Sequence, residues 1–276
     1  MSEDFLQLSG KCFAVFGVAN KKSVAYFIAR ALEECGARVV YVVRDEQVRQ
    51  NAARLLTDRP VIACNVESES DLEQLPQNIR QHTQCLDGLV HSIAYADYSS
   101  GVRPFHETGR RQFLQAVDVS CFSLLSLVNR LKDMLSRQAA IVTISISTTR
   151  MAADNYGYMA PIKAALDSSV VFLARSLGKN SDIRVNAVGA GLLKTSSSAG
   201  IPGYVDSYLF AEKVIPRGRN LETREVADTA VFLLSPRASG INGQTLIVDA
   251  GMACNFFDRD VVRATVSTQK KGSDAE

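Results

Sequence analysis

The chain has 276 residues, of which 46% are hydrophobic and 22% are charged, and its formal net charge at pH 7 is +2. This composition is typical of a globular protein with a sizeable core and excludes a disordered or fibrous chain. A net charge so near zero also argues against nucleic acid or an anionic membrane as the main partner.

The N-terminus, the apolar runs and the cysteines indicate the cellular compartment. The first residues are acidic and lack the basic and apolar regions of a signal peptide. No apolar run reaches the ~18 residues that a membrane-spanning helix needs. The six cysteines are scattered without a CxxC pair, which predicts buried free thiols rather than a zinc or redox site. We therefore expect a cytoplasmic protein without a metal site.

Short runs rich in valine and isoleucine alternate along the chain with longer segments of helical periodicity. The short runs are typical of strands buried on both faces and cover residues 12–16, 38–43, 61–64, 88–92, 140–145, 184–188 and 245–248. The helical segments cover residues 24–35, 46–56, 70–82, 111–136, 158–178 and 223–234. Repeated strand–helix–strand units predict parallel strands with helices on both faces. The expected fold is therefore α/β, a single doubly wound Rossmann-type domain with a seven-stranded parallel sheet over residues 1–258.

Two segments depart from this alternation. Residues 192–219 are rich in serine, glycine and proline, and an irregular insertion of this length inside a compact domain is typical of a binding loop or lid. Residues 259–276 end in a polar stretch. We expect the first segment to cover a substrate and the second to form a mobile C-terminal tail.

The turn after the first predicted strand is a candidate phosphate-binding site. Gly17 would let the backbone approach a pyrophosphate, and Ser23 stands where the next helix begins, so that free N–H groups would face the phosphates. The segment lacks the later glycines of GxGxxG. An ordinary strand–turn–helix with Ser23 as its cap is therefore an equal alternative.

The end of the second predicted strand bears on the choice of nicotinamide cofactor. Arg44 offers a positive charge to the 2′-phosphate of NADP, whereas Asp45 would repel that phosphate if its side chain faced the site. The alternative is an exposed arginine–aspartate pair without a ligand. Charge complementarity favours NADPH, and NADH stays possible.

A tyrosine and a lysine follow the fifth predicted strand. A phenol can donate a hydrogen bond or a proton to an oxygen that gains charge during hydride transfer, and an ammonium can lower the phenol's pKa and hold the cofactor ribose. Ordinary short-chain dehydrogenases use Tyr-x3-Lys, which would place Met159 before Lys163, but the spacing present is Tyr156-x6-Lys163. We therefore assign the phenol role to Tyr156, with Tyr158 as the competing residue. His91 is interpreted as a structural residue rather than a base.

Six segments of the chain carry a family resemblance. They are residues 17–25, 91–96, 156–166, 183–187, 189–195 and 243–251. Together they resemble the divergent short-chain dehydrogenase/reductases that act as enoyl-(acyl carrier protein) reductases in bacterial type II fatty-acid synthesis. The resemblance extends over residues 8–257, and its most specific parts are the Tyr-x6-Lys spacing and the sequence His-Ser-Ile-Ala at 91–94.

The resemblance implies NAD(P)H-dependent reduction of the trans-2 double bond of an enoyl thioester. Tyr156 would bond the thioester oxygen as it becomes an enolate, and Lys163 would hold the nicotinamide ribose. The implied cofactor-binding residues are Gly17, Ala19, Ser23, Val24, Arg44, Asn65, Val66, Ser92, Ile93, Ala94, Lys163, Gly191, Leu193 and Thr195. The implied substrate pocket consists of Tyr95, Ala96, Met159, Ser196 and Ala199. The partner would be acyl carrier protein, and the assembly a homotetramer.

Four positions differ from the family pattern. Ile146 stands where many members have a second tyrosine, and Asn65 replaces an aspartate near the adenine. Leu192 replaces a proline of the nicotinamide loop, and Pro161 is expected to kink the catalytic helix. Two alternatives therefore stay open: a short-chain reductase of another carbonyl or unsaturated substrate, and a cofactor-binding pseudoenzyme.

Overall fold

The computed structural model describes residues 4–99, 101, 103–152, 156–195, 198–255 and 257–273. Its strands are β1 (Cys12–Phe16), β2 (Arg38–Val43), β3 (Val61–Ala63), β4 (Leu86–His91), β5 (Leu135–Ile146), β6 (Arg184–Ala190) and β7 (Thr245–Val248). They form one seven-stranded sheet in the order β3-β2-β1-β4-β5-β6-β7, and every neighbouring pair is parallel. The predicted doubly wound sheet is confirmed, with its change of winding direction between β1 and β4.

Helices cover both faces of this sheet. They are α1 (Val24–Glu34), α2 (Glu46–Ala53), α3 (Glu69–Arg80), α4 (Arg110–Val117), α5 (Ser123–Leu131), α6 (Met159–Leu177), α7 (Tyr204–Val214), α8 (Thr223–Leu234) and α9 (Arg259–Ser273). On one face, Leu75, Leu124 and Leu166 belong to a single apolar cluster with the strands. On the other face, Ile28 and Val226 belong to a second cluster. The sheet is therefore buried on both sides, as its valine- and isoleucine-rich strands predict.

The segment 111–136, predicted as one helix, is divided in the structure. A π-helical turn, Asp118–Phe122, separates α4 from α5, and β5 already begins at Leu135. Inside the turn, the buried Ser120 hydroxyl accepts a hydrogen bond from Tyr95 N at 2.9 Å and donates one to Tyr95 O at 3.1 Å. The π-turn thus tethers the loop after β4, a tertiary interaction that helical periodicity does not reveal.

Pro161 does not interrupt its helix. Helix α6 begins at Met159 with Tyr158 as its N-cap, so Pro161 is the third helical residue. The first N–H groups of a helix have no acceptor within the helix, and a proline there removes no hydrogen bond. The expected kink is therefore wrong, because the helix starts later than the kink requires.

The two irregular segments contain helices. Within residues 192–219 lie a short 3-10 turn, Ser198–Gly200, and helix α7, while α9 occupies most of the polar C-terminal stretch. Closure of the first segment over a substrate and mobility of the second stay predictions. Among the described residues, none of the helices combines the length and apolar character needed to cross a membrane.

Candidate active site

The candidate active site lies at the carboxyl ends of β1, β4, β5 and β6, where loops from both halves of the sheet meet. A cavity of 350 Å³ opens there. Most predicted site residues line it: Gly17, Ser23, Val24, Ser92, Ile93, Ala94, Tyr95, Ala96, Tyr156, Met159, Lys163, Gly191, Leu193 and Thr195. Of the other predicted residues, Ala19, Arg44, Asn65, Val66 and Ala199 lie outside the lining, and Ser196 falls outside the described residues.

The turn after β1 requires its glycine. Gly17 has φ +98°, and a Cβ at this position would lie 2.1 Å from the carbonyl oxygen of Ser92. Any other residue would force β1 and β4 apart at the mouth of the cavity. The close approach keeps the beginning of α1 at the cavity, where a helix N-terminus favours an anion.

Ser23 is the N-cap of α1, but its side chain does not cap the helix. Its hydroxyl instead donates to Asn20 O at 2.7 Å, inside the turn. The alternative of an ordinary serine cap is therefore wrong. The first turn of α1 has no acidic residue and no side-chain cap. Tyr26 N and Phe27 N donate to Ser23 O, so the N–H groups that a ligand could meet are those of Val24 and Ala25.

Arg44 and Asp45 form an ion pair just after β2, with Arg44 Nε 2.7 Å from Asp45 Oδ2. The Asp45 carboxylate is also the N-cap of α2 and accepts a hydrogen bond from Val48 N at 2.8 Å. These two bonds, the backbone one first, lower the pKa of Asp45. The Arg44 side chain is 70% exposed beyond the cavity lining. The carboxylate that could repel a phosphate is thus already engaged, and Arg44 faces solvent.

Asn65 and Val66 follow β3, at the same end of the sheet. Asn65 Oδ1 accepts Glu67 N at 3.1 Å, and Asn65 N donates to Asp71 Oδ2 at 2.9 Å. Val66 packs against the core. These bonds shape a local turn, and contact of either residue with an adenine stays a prediction.

Tyr156 lies in the cavity wall just before α6. Burial raises the pKa of its phenol above the ordinary value. The expected lowering of that pKa by Lys163 is wrong in this geometry, because burial and the neighbouring phenols of Tyr98 and Tyr204 all raise it and Lys163 does not offset them. A phenol that keeps its proton can act as a hydrogen-bond donor to an oxygen in the cavity.

Lys163 lies in the second turn of α6 and lines the same cavity. The residue is only 4% exposed. Its Nζ donates to Ile144 O, near the end of β5, at 2.7 Å. Burial lowers the pKa of the ammonium to about 8, and the nearby carboxylate of Asp167 acts in the opposite direction. The lysine is therefore a cation close to its titration point, held at the end of a central strand.

Tyr158, the competing phenol, faces away from the cavity. Its hydroxyl donates to Asp97 O at 3.1 Å, and its ring stacks on Tyr98 with 6.1 Å between the ring centroids. Its hydroxyl is thus engaged in holding the loop after β4. This geometry favours Tyr156 for the phenol role.

His91 is fully buried at the end of β4. Its Nδ1 lies 2.8 Å from Thr143 Oγ1, and its Nε2 lies 2.8 Å from Ser123 Oγ. Burial, together with the positive charge of Lys163, lowers the pKa of the imidazole to about 3. A histidine that stays neutral and uses both ring nitrogens in the core fits the structural interpretation.

Several lining residues are absent from the sequence-based set. They are Tyr98, Ile144, Ser145, Ile146, Ala190, Ser198, Gly200, Ile201 and Tyr204. Residues 144–146 stand at the end of a predicted strand, and that position could have identified these three as lining residues. Tyr204 has no such signal: its hydroxyl accepts Leu193 N and donates to Leu193 O, both at 2.8 Å, which ties α7 to the loop after β6.

Comparisons with known proteins identify the family of the chain and support its fold. A family model described as enoyl-(acyl carrier protein) reductase matches residues 17–253. The NADH-named enoyl-acyl-carrier-protein reductase FabI of Bacillus subtilis is 34% identical, covering 88% of this chain and 96% of its own. The FabI of Staphylococcus aureus, which is named as an NADPH enzyme, is 33% identical over 89% of this chain and 98% of its own length. The crystal structure of the NADH-named reductase from Aquifex aeolicus has a TM-score of 0.86 at 32% identity, covering 91% of this chain and 99% of its own.

Proposed function

The chain belongs to the enoyl-(acyl carrier protein) reductase family, and we propose that it reduces the trans-2 double bond of enoyl thioesters on acyl carrier protein with NADPH. The reaction is a reductive step of type II fatty-acid synthesis. The observation that carries the proposal is the pair of half-buried Tyr156 and buried Lys163, which lines one cavity together with the Gly17 turn.

The residues around the cavity fit a nicotinamide dinucleotide, which supplies the hydride when bound. Gly17 holds the turn after β1 against Ser92, and this keeps the uncapped first turn of α1 at the cavity for a pyrophosphate. Lys163, whose Nζ lies at the end of β5, is the residue that would hold the nicotinamide ribose.

Tyr156 would polarise the substrate. Because burial raises the pKa of its phenol, the hydroxyl keeps its proton and can donate to the thioester oxygen. Negative charge accumulates on that oxygen when hydride reaches the β-carbon, and a donor already in place stabilises it in the transition state. The Lys163 ammonium adds a positive charge on the same side of the cavity.

The preference for NADPH rests on Arg44. Relatives of this chain carry both cofactor names, NADH in Bacillus subtilis and NADPH in Staphylococcus aureus. Asp45 is engaged by the first turn of α2 and by Arg44 itself, so its charge is partly neutralised. The exposed guanidinium of Arg44 can therefore meet a 2′-phosphate.

The cofactor test compares kcat/KM for NADPH and NADH in the wild type, in Arg44→Ala and in the control Arg49→Ala. Arg49 is an exposed arginine of α2 that is paired with Glu46. We expect Arg44→Ala to lower kcat/KM for NADPH about 10- to 100-fold and to leave NADH within about threefold. A wild type that prefers NADH, or an equal loss with both cofactors, would contradict the proposal.

The substrate test follows nicotinamide oxidation with crotonyl- and longer trans-2-enoyl thioesters against acetoacetyl thioesters. Reduction of the enoyl thioesters supports the proposal, and exclusive reduction of the carbonyl compounds favours another short-chain reductase. Tyr156→Phe should lower kcat at least ~100-fold, while Tyr158→Phe, a matched loss of one hydroxyl, should stay within about threefold. No loss with Tyr156→Phe would favour the pseudoenzyme.

The protein should assemble with copies of itself, and we propose a homotetramer. Helix α6 exposes Phe172 (76%) and Val171 (52%), while Ile247 of β7 is 49% exposed. Large apolar side chains on neighbouring elements are typical of an interface. Light scattering should give four copies for the wild type and fewer for Phe172→Glu. A monomeric wild type would contradict this arrangement.

The cytoplasm is the proposed location. All six cysteines are unpaired, and Cys85 and Cys254 among them are exposed. Exposed free thiols persist in a reducing compartment. Fractionation of cells should place the protein with cytoplasmic markers, and recovery with a membrane or exported fraction would contradict the proposal.

A further inference from the structure

A group of buried polar side chains beside Lys163 is incompletely hydrogen-bonded. Within the part of the chain that the structure describes, three buried side-chain atoms lack a partner: Ser145 Oγ, Asp167 Oδ1 and Asn220 Oδ1. The first two belong to one cluster behind the candidate active site. An unpaired buried polar atom typically costs about 1–3 kcal/mol, so a pair of them in one place calls for a physical reason.

The backbone brings this cluster together. Asp167 follows Lys163 by four residues in α6, so both side chains lie on the same face of the helix. Ser145 directly follows Ile144, whose carbonyl accepts Lys163 Nζ at 2.7 Å. Ser145 is 1% exposed and also lines the catalytic cavity. The carboxyl of Asp167 thus lies behind the lysine, between α6 and the end of β5.

Hydroxyl groups surround the Asp167 carboxyl. Burial raises its pKa, whereas the hydroxyls of Ser145, Thr245 and Thr149 and the charge of Lys163 act to lower it. The Ser145 hydroxyl is near enough to influence the carboxyl, yet its Oγ forms no hydrogen bond of normal length with the described residues. The threonine hydroxyls of Thr245 and Thr149 therefore favour the charged carboxylate, while Asp167 Oδ1 and Ser145 Oγ lack hydrogen-bond partners among the described residues.

Three groups from different elements interact electrostatically with the Lys163 charge. His91 on β4 is neutral, because burial lowers its pKa to about 3. Cys121 in the π-turn is a thiol whose pKa burial raises. Asp167 is the carboxylate of the set and favours the charged lysine. Since burial opposes that charge, the carboxylate is the group that offsets it.

We propose that Asp167 is a positioning residue that, together with Ser145, keeps the buried Lys163 ammonium charged and directed at the end of β5. The inference rests on the proposed role of Lys163 in holding the nicotinamide ribose. It assigns no contact between Asp167 and the substrate, because Asp167 acts through the lysine.

The proposal sets the sign of a pH effect. Without the Asp167 charge, nothing offsets the desolvation that lowers the pKa of Lys163. The pKa of Lys163 therefore falls, and the lysine loses its proton at a lower pH. Affinity for the nucleotide then falls at a lower pH as well, because the neutral amine attracts the nucleotide less strongly. A glutamate keeps the negative charge and should keep the wild-type behaviour.

The experiment measures the Kd of NADPH from pH 6 to 10 by the fluorescence of the nicotinamide, without substrate. We expect Kd to rise about tenfold through an alkaline midpoint, and Asp167→Asn to lower that midpoint by about 1 pH unit. At pH 7.5 this shift corresponds to roughly threefold weaker binding. Asp167→Glu and the exposed control Asp182→Asn should keep the wild-type midpoint.

An unchanged midpoint in Asp167→Asn overturns the inference. If Asp167→Asn does not fold, the same midpoint is measured in Ser145→Ala. A lowered midpoint in Ser145→Ala supports the proposal, and an unchanged midpoint overturns it. Lys163→Met tests the underlying function separately, because it should remove the alkaline transition. If Lys163→Met binds NADPH with the wild-type pH profile, the proposed role of Lys163 fails, whatever Asp167 does.

Discussion

Two buried cations at opposite ends of the sheet, Arg184 and Lys163, differ in the number of hydrogen bonds that they donate. Arg184, at the start of β6, is 7% exposed and donates to the carbonyls of Leu233, Ala238 and Ser235 at 2.9 Å and of Ile241 at 3.5 Å. Lys163, near the carboxyl ends of the strands, has one carbonyl partner. A fully bonded buried cation holds the fold together, whereas a partly bonded one keeps donors for a ligand.

Burial lowers the pKa of both groups, so both lose hydration. At Arg184 the carbonyls that end α8 and the turn after it replace the lost water, and they too depend on the guanidinium. Around Lys163 polar atoms stay unpaired. The two cations therefore differ in the number of their hydrogen bonds rather than in burial, and this difference fits a structural role for Arg184 and the proposed ligand-binding role for Lys163.

The largest effect should come from Arg184→Met, which tests the structural side of the comparison. The substitution leaves several buried carbonyls without a donor, and we expect it to lower the free energy of unfolding by about 3–5 kcal/mol. Urea unfolding measures this. Arg175→Met, on the exposed end of α6, is the control and should change stability by less than ~0.5 kcal/mol. A loss below ~1 kcal/mol for Arg184→Met would contradict the comparison.

Lys163→Met should act in the opposite direction. The folded-state pKa of about 8 lies below the ordinary lysine pKa of 10.5, so the charged lysine destabilises the folded state at neutral pH. We expect the free energy of unfolding of the variant to be about 1–3 kcal/mol higher at pH 7, because the desolvation of the lysine that is relieved exceeds the attraction to Asp167 that is lost. The gain should shrink as the pH rises from 8 to 10.5, while reductase activity is lost. A destabilised variant at pH 7 would break the comparison.

His91 supplies an intermediate effect in acid. Its pKa is about 3 in the folded state against an ordinary histidine pKa of 6.5, so the stability of the folded state should fall as the pH drops below 6.5. We expect wild type to lose about 2 kcal/mol between pH 6.5 and pH 5 from this group, and His91→Asn to lack this loss. Unfolding curves at both pH values measure the slope. Equal slopes in the two proteins would show that His91 does not stay neutral.

The smallest effect should come from a surface pair. Arg217 binds Glu225 through two bonds of 2.6 Å, and this lowers the pKa of Glu225 to about 2. Both side chains are about one-third exposed, so we expect Arg217→Ala to cost less than ~1 kcal/mol at pH 7. The contribution should disappear as the pH falls from 4.5 towards 2. A loss comparable to that of Arg184→Met would mean that burial does not control these energies.

Much of the fold follows from sequence patterns. Val- and Ile-rich runs predict every strand of the sheet, because strands that helices cover on both faces consist mainly of apolar residues. The bounds are less secure: β5 begins at Leu135 rather than at 140, and the π-turn Asp118–Phe122 interrupts a segment that is periodic throughout. Those features depend on contacts with the loop after β4, which lies elsewhere in the sequence.

For the site, sequence spacing and backbone sterics predict the Gly17 turn and the Tyr156–Lys163 pair, and the structure places all three residues around one cavity. Only the three-dimensional packing brings Ser145 and Tyr204 to the same cavity, places Asp167 next to Ser145 and leaves Ala199 outside the lining. Their roles arise when distant segments meet and lose water together. Such desolvation depends on the whole packing arrangement and leaves no periodic signal in the chain.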